Sequence, residues 1–323
     1  MIASKPPYFM ARLPNSEMRN RKNIFEIILG FSILLLSISH WFPFGIHLLE
    51  LLGAFAHFSL AISALAIAVS LYLKQKVLGV LSTVSLLISA SLVFPHLLPL
   101  NSSEKGSVTV GQFNLYHNNP SPEAAISELK RLHVDVFTIQ ELNTDWKAII
   151  DSVFHDQYPY RIEEPWDDCC YGIGLYSKYP IIESAIFKTE STPSINATIN
   201  IARKVLRVIS FHTKPPAFPN ETKERNKQMR IIAKMAAETE TPLIALGDLN
   251  VVPWDTKFQS FLKAGDLNAV RDGFQATYPM DFGIPLIPID HITYSNGLIP
   301  TSCEAIKIPG SDHKGMVASF KFE

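Results

Sequence analysis

The sequence predicts an α/β domain that is preceded by a helical transmembrane region. Apolar runs without a charged residue fill most of the first hundred positions, whereas strand-like and helix-like segments alternate from Val108 onward. The charge changes with the pattern: residues 1–100 contain 7 Lys and Arg against 3 Asp and Glu, and residues 101–323 contain 22 against 27. We therefore expect one region surrounded by lipid and one surrounded by water.

Three apolar runs predict three membrane-spanning helices, at residues 27–46, 51–73 and 77–100. A span needs roughly 20 apolar residues, and each run is long enough. A cleaved signal peptide would account for the first run but not for the other two. The expected organisation is a basic N-terminus at 1–23, a transmembrane region at 24–100, a linker at 101–107 and an α/β domain at 108–323.

The positions of Lys and Arg predict the orientation of these spans. Basic residues occur at 19–22, before the first run, and at Lys74 and Lys76, between the second and third runs. The loop at 43–50 contains neither Lys nor Arg. Because cytoplasmic loops are enriched in both, we expect a multi-pass protein of the cell (inner) membrane, partnered by the lipid bilayer. Its α/β domain would then lie on the exoplasmic or periplasmic side.

From Val108 to the C-terminus, the patterns of strand and helix alternate over about 220 residues, an ordinary size for one α/β domain. The segments 172–177 and 181–187 are expected to form a strand pair joined by Lys178–Pro180. The other strands are predicted at 108–114, 134–139, 195–201, 205–211, 243–246, 289–294 and 316–320, and the helices at 122–132, 146–154, 221–238 and 258–263.

One stretch, Pro242–Asn250, combines a buried strand with two functional side chains. Its apolar run is broken by Gly247, and Asp248 and Asn250 follow two positions apart. Residues at i and i+2 of an extended chain point the same way. A carboxylate and a carboxamide would thus face one spot, which suits a hard cation and a phosphate, although both residue types are also common in turns.

Polar residues recur in the same way where other predicted strands begin or end. Each has an ordinary interpretation as a turn former, a helix cap or a strand-end histidine. Their recurrence indicates a site instead, because α/β folds place their sites at strand ends. These residues are Asn114, Glu141, His212, Asp248 with Asn250, Asp290, and Asp312 with His313.

The chemistry of this set indicates metal-assisted hydrolysis. Carboxylates and an amide oxygen favour Mg²⁺ or Mn²⁺ over zinc, and the three cysteines show no C-x-x-C spacing. Two histidines, His212 and His313, suit proton transfer or charge stabilisation near neutral pH, with Asp290 as the carboxylate that orients His313. Without an activated Ser or Cys, we expect direct attack of water at phosphorus.

The motifs resemble the endonuclease/exonuclease/phosphatase family, in their order as well as their residues. The similarity covers two-thirds of the chain, from about Val108 to the end, and the three N-terminal runs are similar to a membrane-anchored bacterial branch. The motifs are F-N-L at 113–115, Q-E at 140–141, G-I-G-L-Y-S-K-Y-P-I at 172–181, S-F-H at 210–212, G-D-L-N at 247–250, I-D-H-I at 289–292 and S-D-H at 311–313.

The resemblance implies a four-layer sandwich of two packed mixed β-sheets flanked by helices. It implies metal ligation by Glu141, with Asn114 and Asp312 close by. Asp248 would position or deprotonate the attacking water, and Asn250 would hold that water or the phosphate. The two histidines, with Asp290 behind His313, would bind the scissile phosphate, and the division between base and acid stays open.

The substrate expected is a phosphate ester, either a nucleic acid or a phospholipid. A pair of histidines resembles the deoxyribonuclease branch, whereas apurinic-site nucleases of the family carry Asn where this chain has His212. The acidic balance of residues 101–323 opposes nucleic-acid binding, and the anchor favours lipid, with Trp166, Trp254 and Phe258 as lipid contacts or as packing residues. A non-catalytic receptor or scaffold would lack one or more site residues, and none is missing.

Overall fold

The structure is a computed structural model that describes residues 15–39, 51–100, 105–280 and 283–323, with side chains from Asn23 onward. Most of the predicted basic N-terminus, the end of the first predicted span, the loop at 43–50 and most of the predicted linker lie outside the described residues.

Among the described residues of the N-terminal region, the long helices are α1 (Asn15–Ile38), α2 (Ala56–Leu73) and α3 (Lys76–Val93). Within the described residues, two helices are long and apolar enough to cross a membrane, Ala56–Leu73 and Lys76–His96. The apolar segment of α1, Asn23–Ile38, is shorter. Length and composition alone are weak evidence for a membrane span, since a buried helix of a soluble protein passes the same test.

The packing of these helices places small and hydroxyl side chains inside and large apolar side chains outside. In the interior, Ser63 and Ser85 lie within 2.8 Å and Ser89 donates to Ser37 at 3.0 Å. Leu71 and Leu87 are 75% and 65% exposed on the outer surface. α2 buries Ala56, Ser59, Ser63, Ala66 and Ser70, and α3 buries Leu78, Ser82, Ser85, Ser89 and Val93.

The contacts between helices fix their directions. Ser63 and Ser70 of α2 contact Ser85 and Gly79 of α3, so these helices are antiparallel. α1 is parallel to α3, because Ser37 near its C-terminal end contacts Ser85 and Ser89. The turn containing Lys74 and the beginning of α1 therefore lie at one end of the bundle, and the α/β domain follows from the other.

The α/β domain contains twelve strands and four helices within the described residues, and the predicted strand Val108–Asn114 is confirmed. The strands are β1 (Val108–Asn114), β2 (Val136–Gln140), β3 (Tyr160–Glu164), β4 (Ile173–Ser177), β5 (Ile181–Thr189), β6 (Thr192–Ile201), β7 (Lys204–Phe211), β8 (Leu243–Asp248), β9 (Leu267–Ala269), β10 (Asp290–Ser295), β11 (Leu298–Lys307) and β12 (Lys314–Phe322). The helices are α4 (Pro122–Arg131), α5 (Thr144–Phe154), α6 (Pro219–Ala237) and α7 (Thr256–Gly265).

The strands form two six-stranded mixed sheets, which confirms the expected sandwich. Sheet A has the order β11-β12-β1-β2-β4-β3, and sheet B has the order β5-β6-β7-β8-β10-β9. In each sheet the two central strands are parallel (β1 with β2, and β7 with β8), and their outer neighbours are antiparallel.

Alternation along each strand separates the layers. In β8, Ile244 and Leu246 pack into the core between the sheets, while Leu243 and Ala245 pack under α6 and α7. In sheet A, Phe137 and its neighbours pack under α4 and α5. Phe258, a predicted candidate for lipid contact, is fully buried in this packing. Each sheet is thus apolar on both faces and covered on both, as layered α/β folds require.

The predicted pairing of 172–177 with 181–187 is wrong. β4 pairs with β2 and β3 in sheet A, whereas β5 pairs with β6 in sheet B. The connection between them crosses from one sheet to the other. Two sets of hydrogen bonds hold it there: the hydroxyl of Ser177 bonds to the backbone of Tyr179, and Lys178 N–H donates to Asp135 O. A short connection favours a hairpin only when no other strand offers an edge.

The cysteines are free thiols. Cys303 is buried, while Cys169 is exposed and its sulfur lies 3.4 Å from that of Cys170. The structure therefore contains no disulfide bond among these three cysteines.

Candidate active site

The face of each central strand that points between the sheets changes from apolar to polar along its length. On β1, Val108 and Val110 lie in the core, and Gln112 and Asn114 follow on the same face. On β8, Asp248 follows Ile244 and Leu246 in the same way. The polar ends of both sheets meet at one edge, and this arrangement builds a buried polar site above the core.

Asp248 lies at the centre of this site. Its Oδ2 accepts a hydrogen bond from Asn114 Nδ2 at 3.2 Å, and it lies 3.4 Å from His212 Nε2 and 3.6 Å from His313 Nε2. Its Oδ1 accepts the backbone N–H of Asn250 at 3.0 Å. Burial acts to raise the pKa of Asp248, but the two histidines outweigh it and hold the pKa below its ordinary value. The carboxylate is therefore ionised.

The carboxylates of the site raise the pKa of both histidines. Burial acts to lower the pKa of His313, but the carboxylates of Asp290 and Asp248 outweigh burial and raise it to about 10. Burial likewise acts to lower the pKa of His212, and Asp248 raises it above the ordinary value. Nδ1 of His212 is buried without a hydrogen-bond partner among the described residues. Nε2 of each imidazole faces Asp248.

Asp290 orients His313 and joins the two sheets. It is fully buried; its Oδ2 lies 2.9 Å from His313 Nδ1, and its Oδ1 accepts from Gln112 Nε2 at 2.8 Å. Gln112 belongs to sheet A, and Asp290 begins β10 of sheet B. The next residue, His291, points to the opposite face, where its ring lies 4.1 Å from that of Phe258. The alternation of the strand therefore selects Asp290 for the site.

Glu141 is linked to Asp248 through the side chain of Asn114. Its Oε1 accepts from Asn114 Nδ2 at 3.0 Å, and its Oε2 lies 2.8 Å from His117 Nδ1 and accepts the His117 backbone N–H at 3.0 Å. The Asn114 side-chain oxygen accepts the backbone N–H of Tyr116 at 3.0 Å. Asn114 therefore bridges Glu141 and Asp248 through its amide nitrogen, and its oxygen is engaged within the protein.

The side chain of Asp312 indicates whether the residues of the site suit a bound cation. Its Oδ1 is buried and has no hydrogen-bond partner among the described residues. Burial raises the pKa of Asp312, and the nearby charges of Glu141 and Asp248 raise it further against the opposing charge of His313. A divalent cation between Glu141 and Asp312 would satisfy that oxygen and offset the repulsion of the carboxylates. The residues present therefore fit a metal ion with oxygen ligands.

A second group also has the spacing of a metal site. Asp248, Asp290 and His313 bring ligand atoms within 4.8 Å of one another, and all three are buried. The carboxylate of Asp290 already holds Nδ1 of His313, and a protonated imidazole has no lone pair for a metal. We therefore favour the pocket of Glu141 and Asp312 as the cation site.

Backbone geometry at the site is unusual in two places. Asn250 and Glu141 have positive φ values of 47° and 63°, a conformation that few non-glycine residues adopt. Gly247 has a φ of 150°, and a Cβ there would lie 1.9 Å from the carbonyl oxygen of Phe211. Glycine therefore lets β8 approach β7 at the point where both enter the site, while the strained residues aim their side chains inward.

The structure brings all eight sequence-predicted residues into one site. Asn250 also donates through Nδ2 to Thr213 O at 2.9 Å, which fixes its amide. Sequence reasoning missed Gln112, His117 and Tyr278, whose ring lies 4.7 Å from that of His313. Gln112 could have been found, because it lies two positions before Asn114 on the same strand face. His117 and Tyr278 lie outside the strands, where periodicity gives no signal.

A profile of the Endonuclease/Exonuclease/phosphatase family matches residues 111–313, which include every residue of this site. The chain belongs to the Endonuclease/Exonuclease/phosphatase family. Family membership, together with the complete site, makes it an enzyme that hydrolyses phosphate esters. No curated protein sequence matches the chain.

Solved structures of several family enzymes share the fold. TDP2 of D. rerio, complexed with a single-strand DNA product, has a TM-score of 0.56 at 18% identity, covering 66% of this chain and 98% of its own. The human Nocturnin catalytic domain with bound sulfate has a TM-score of 0.57 at 16% sequence identity, and the match covers 69% of this chain and 97% of that domain. The mannosyl-6-phosphatase of Bacteroides thetaiotaomicron has a TM-score of 0.55 at 15% sequence identity, and the match covers 67% of this chain and 100% of that enzyme. At these identities the similarity establishes the fold alone.

The pairing of Asp290 with His313 predicts a measurable titration. In the wild type, the His313 imidazole should stay protonated until about pH 10. Asp290→Asn removes the charge that supports the imidazolium and leaves burial, which lowers the pKa, so the pKa should fall by more than about one unit. NMR of the histidine-labelled chain measures this shift, and the exposed Asp156→Asn is the control. An unchanged titration of His313 in Asp290→Asn would contradict the assignment.

Proposed function

We propose that the chain is a membrane-anchored, divalent-metal-dependent phosphohydrolase that cleaves a phosphodiester by attack of water at phosphorus. One observation carries this proposal: Asp248 lies within 3.6 Å of both histidines, and the buried, unpartnered carboxylate of Asp312 is near enough to Glu141 and Asp248 for their charges to raise its pKa. A cation beside the carboxylates and a phosphate beside the histidines would both be favourable there. Groups of positive charge that offset the negative charge developing on the phosphoryl oxygens accelerate hydrolysis of a phosphate ester.

The metal would be held by Glu141 and Asp312, with Asn114 close by, and Mg²⁺ or Mn²⁺ suits these oxygen ligands. When bound, such an ion offsets negative charge that develops on the phosphoryl oxygens. The hydrogen bonds from His117 to Glu141 hold that carboxylate in place. In the same way, Asn114 fixes the distance between Glu141 and Asp248.

The remaining residues act on water and on the phosphate. Asp248 accepts a hydrogen bond from the attacking water and orients it, with Asn250 beside it; the lowered pKa of Asp248 makes it a better acceptor than base. His212 and His313 donate to the phosphoryl oxygens through charged imidazoles. A new P–O bond forms from water and the ester P–O bond breaks. The attacking water loses one proton to solvent, and the departing oxygen receives one proton from solvent or from an imidazolium that solvent then reprotonates.

The helical region serves as the membrane anchor in this proposal. Small and hydroxyl residues inside the bundle, with large apolar residues outside, are typical of helices that pack within lipid. The basic turn between α2 and α3 lies at the far end from the α/β domain. By the excess of Lys and Arg in cytoplasmic loops, that end faces the cytoplasm and the active site faces the exoplasmic or periplasmic side.

Two classes of phosphodiester are candidates for the substrate. A nucleic acid is supported by the two histidines and by the DNA product held by the related TDP2 structure. A phospholipid is supported by the anchor and by the acidic balance of residues 101–323, because nucleic-acid binding rests on Lys and Arg at phosphates.

The hydrolase proposal predicts a loss of turnover in Asp248→Ala. With bis(4-nitrophenyl) phosphate and Mg²⁺, the full chain in detergent should release nitrophenol, and Asp248→Ala should be roughly 100-fold slower or more. Asp156→Ala, an exposed aspartate outside the site, is the matched control and should equal the wild type. Equal rates for Asp248→Ala and the wild type would exclude this site as the centre of hydrolysis.

The metal site predicts that the effect of Asp312→Asn on the unfolding temperature differs between a chelator and Mg²⁺. With a chelator present, the variant should unfold at the wild-type temperature or above it, because it removes a buried carboxylate that has no partner. With Mg²⁺ present, the wild type should be stabilised and the variant should lose most of that gain. Thermal unfolding with and without Mg²⁺ measures both effects. A variant that gains as much from Mg²⁺ as the wild type would rule out Asp312 as a ligand.

The orientation predicts the activity of reporter fusions. An enzyme that works only outside the cytoplasm should be active when fused after Glu323 and inactive when fused after Gln75, in the basic turn. Fluorescence of a reporter that folds only in the cytoplasm should give the opposite result. An inactive fusion at Glu323, expressed at a normal level, would reverse the orientation.

A further inference from the structure

A cavity of about 260 Å³ lies between the helical region and the α/β domain. Leu51, Ala54 and Phe55, which precede α2, form one wall. Apolar residues of the catalytic domain, among them Pro216 and Ile287, form the other. The volume is below the roughly 300–1,000 Å³ of sites that enclose a whole ligand. It therefore suits a segment of hydrocarbon rather than an entire molecule.

One end of the cavity reaches the active site. Asn250 lines it, and the same residue donates its backbone N–H to Asp248. Tyr278 also lines it, and its ring lies 4.7 Å from that of His313. A molecule in the cavity would thus be separated from the reacting phosphate by only these two side chains.

The other end lies at the level of the bilayer surface. α2 has 18 residues, which span about 27 Å, close to the roughly 30 Å of the hydrocarbon layer. The residues just before Ala56 are therefore at the exoplasmic boundary of the lipid. Phe218, which follows Ala217 of the cavity wall, is 67% exposed and would enter the bilayer surface.

The junction that encloses the cavity is fixed by hydrogen bonds. Trp254 Nε1 donates to Gly53 O at 2.9 Å, and the Trp254 ring is buried in a cluster that includes Ala56 and Val93. On the other side, Leu100 N–H donates to Asp272 Oδ1 at 2.9 Å. The predicted interaction of Trp254 with lipid is replaced by this contact with the anchor itself. The opening of the cavity is thereby held in one position relative to the membrane.

The charged groups along the cavity are engaged within the protein. Arg225 donates through Nη1 to Asn250 O at 2.9 Å, and Asp255 accepts the backbone N–H of Lys257 at 2.6 Å. A nucleic-acid strand needs cations along its path, and Arg225 is the only Lys or Arg among the described residues that line the cavity. An occupant must instead be apolar along the cavity and carry a phosphate ester at one end.

We propose that the cavity binds a hydrocarbon chain of a phospholipid in the exoplasmic leaflet, whose phosphodiester is the substrate. This inference rests on the proposed hydrolase function and names its substrate class. The chain of the lipid would stay in contact with lipid-facing residues at the bilayer surface while the phosphate moves to His212 and His313. Each methylene buried in the cavity would favour the complex, so the enzyme would prefer long-chain esters.

Two phosphodiesters with one leaving group test this preference. Hexadecyl 4-nitrophenyl phosphate and methyl 4-nitrophenyl phosphate differ in the hydrocarbon alone. The full chain in mixed detergent micelles should show at least a tenfold higher kcat/KM for the hexadecyl ester. Ala54→Trp, which fills the cavity, should lower kcat/KM for the hexadecyl ester and so remove most of that preference. Ala64→Trp, on the exposed face of α2, is the matched control and should keep the wild-type preference.

A binding measurement on the wild type tests the same inference without relying on catalysis or on correct folding of Ala54→Trp. Phosphatidylcholine with a photoreactive group in its acyl chain, in nanodiscs with the wild type, should label residues of the cavity wall. Labelling confined to the outer surface of the helices, or an equal chain preference in Ala54→Trp and the wild type, would overturn the inference. So would cleavage of a single-stranded oligonucleotide at a higher kcat/KM than the hexadecyl ester. Wild-type rates in Asp248→Ala would instead defeat the hydrolase proposal while acyl-chain labelling still stood.

Discussion

The structure depends on the buried hydrogen bonds of Asp290. A fully buried carboxylate is unfavourable unless its charge is paired and its oxygens are hydrogen-bonded. Asp290 meets both conditions by contacting Gln112 of sheet A and His313, which precedes the first residue of β12 in sheet A. The two sheets can therefore pack only in the register that closes these bonds. The same bonds set the charge on His313, so the packing of the fold and the electrostatics of the site share one cause.

A gradient along the strands explains why the site lies at one end of the sandwich. The face between the sheets is apolar where branched side chains such as Val110 and Ile244 interdigitate. It becomes polar within two residues of each strand end, at Asn114 and Asp248. Charges there are buried deeply enough to interact strongly yet lie at the rim, where a substrate and a cation can reach them.

The sequence was sufficient for the parts that periodicity and strand ends determine. Alternation predicted β1, an apolar run predicted β8, and polar residues at the ends of these and other strands predicted eight residues that lie together in the structure. The choice of sheet for β5 could not be predicted, because pairing depends on which edge is free in three dimensions and not on the three residues that join β4 to β5. His117 was missed for a related reason: it reaches Glu141 from a loop whose course only the folded chain defines.

In the proposed arrangement, the packing of the helical region on the catalytic domain also limits what the active site can reach. Both the beginning of α2 and the end of α3 pack on the catalytic domain around Trp254, and Leu98 O accepts the backbone N–H of Gly273 at 3.0 Å. If the helices span a membrane, as we propose, an attachment at several points would hold the site at one height above the lipid, whereas a flexible tether would let it sample a wide volume. A fixed height favours substrates whose phosphate also lies at a fixed depth. Phosphates of a bilayer meet this condition, and those of a free polymer do not.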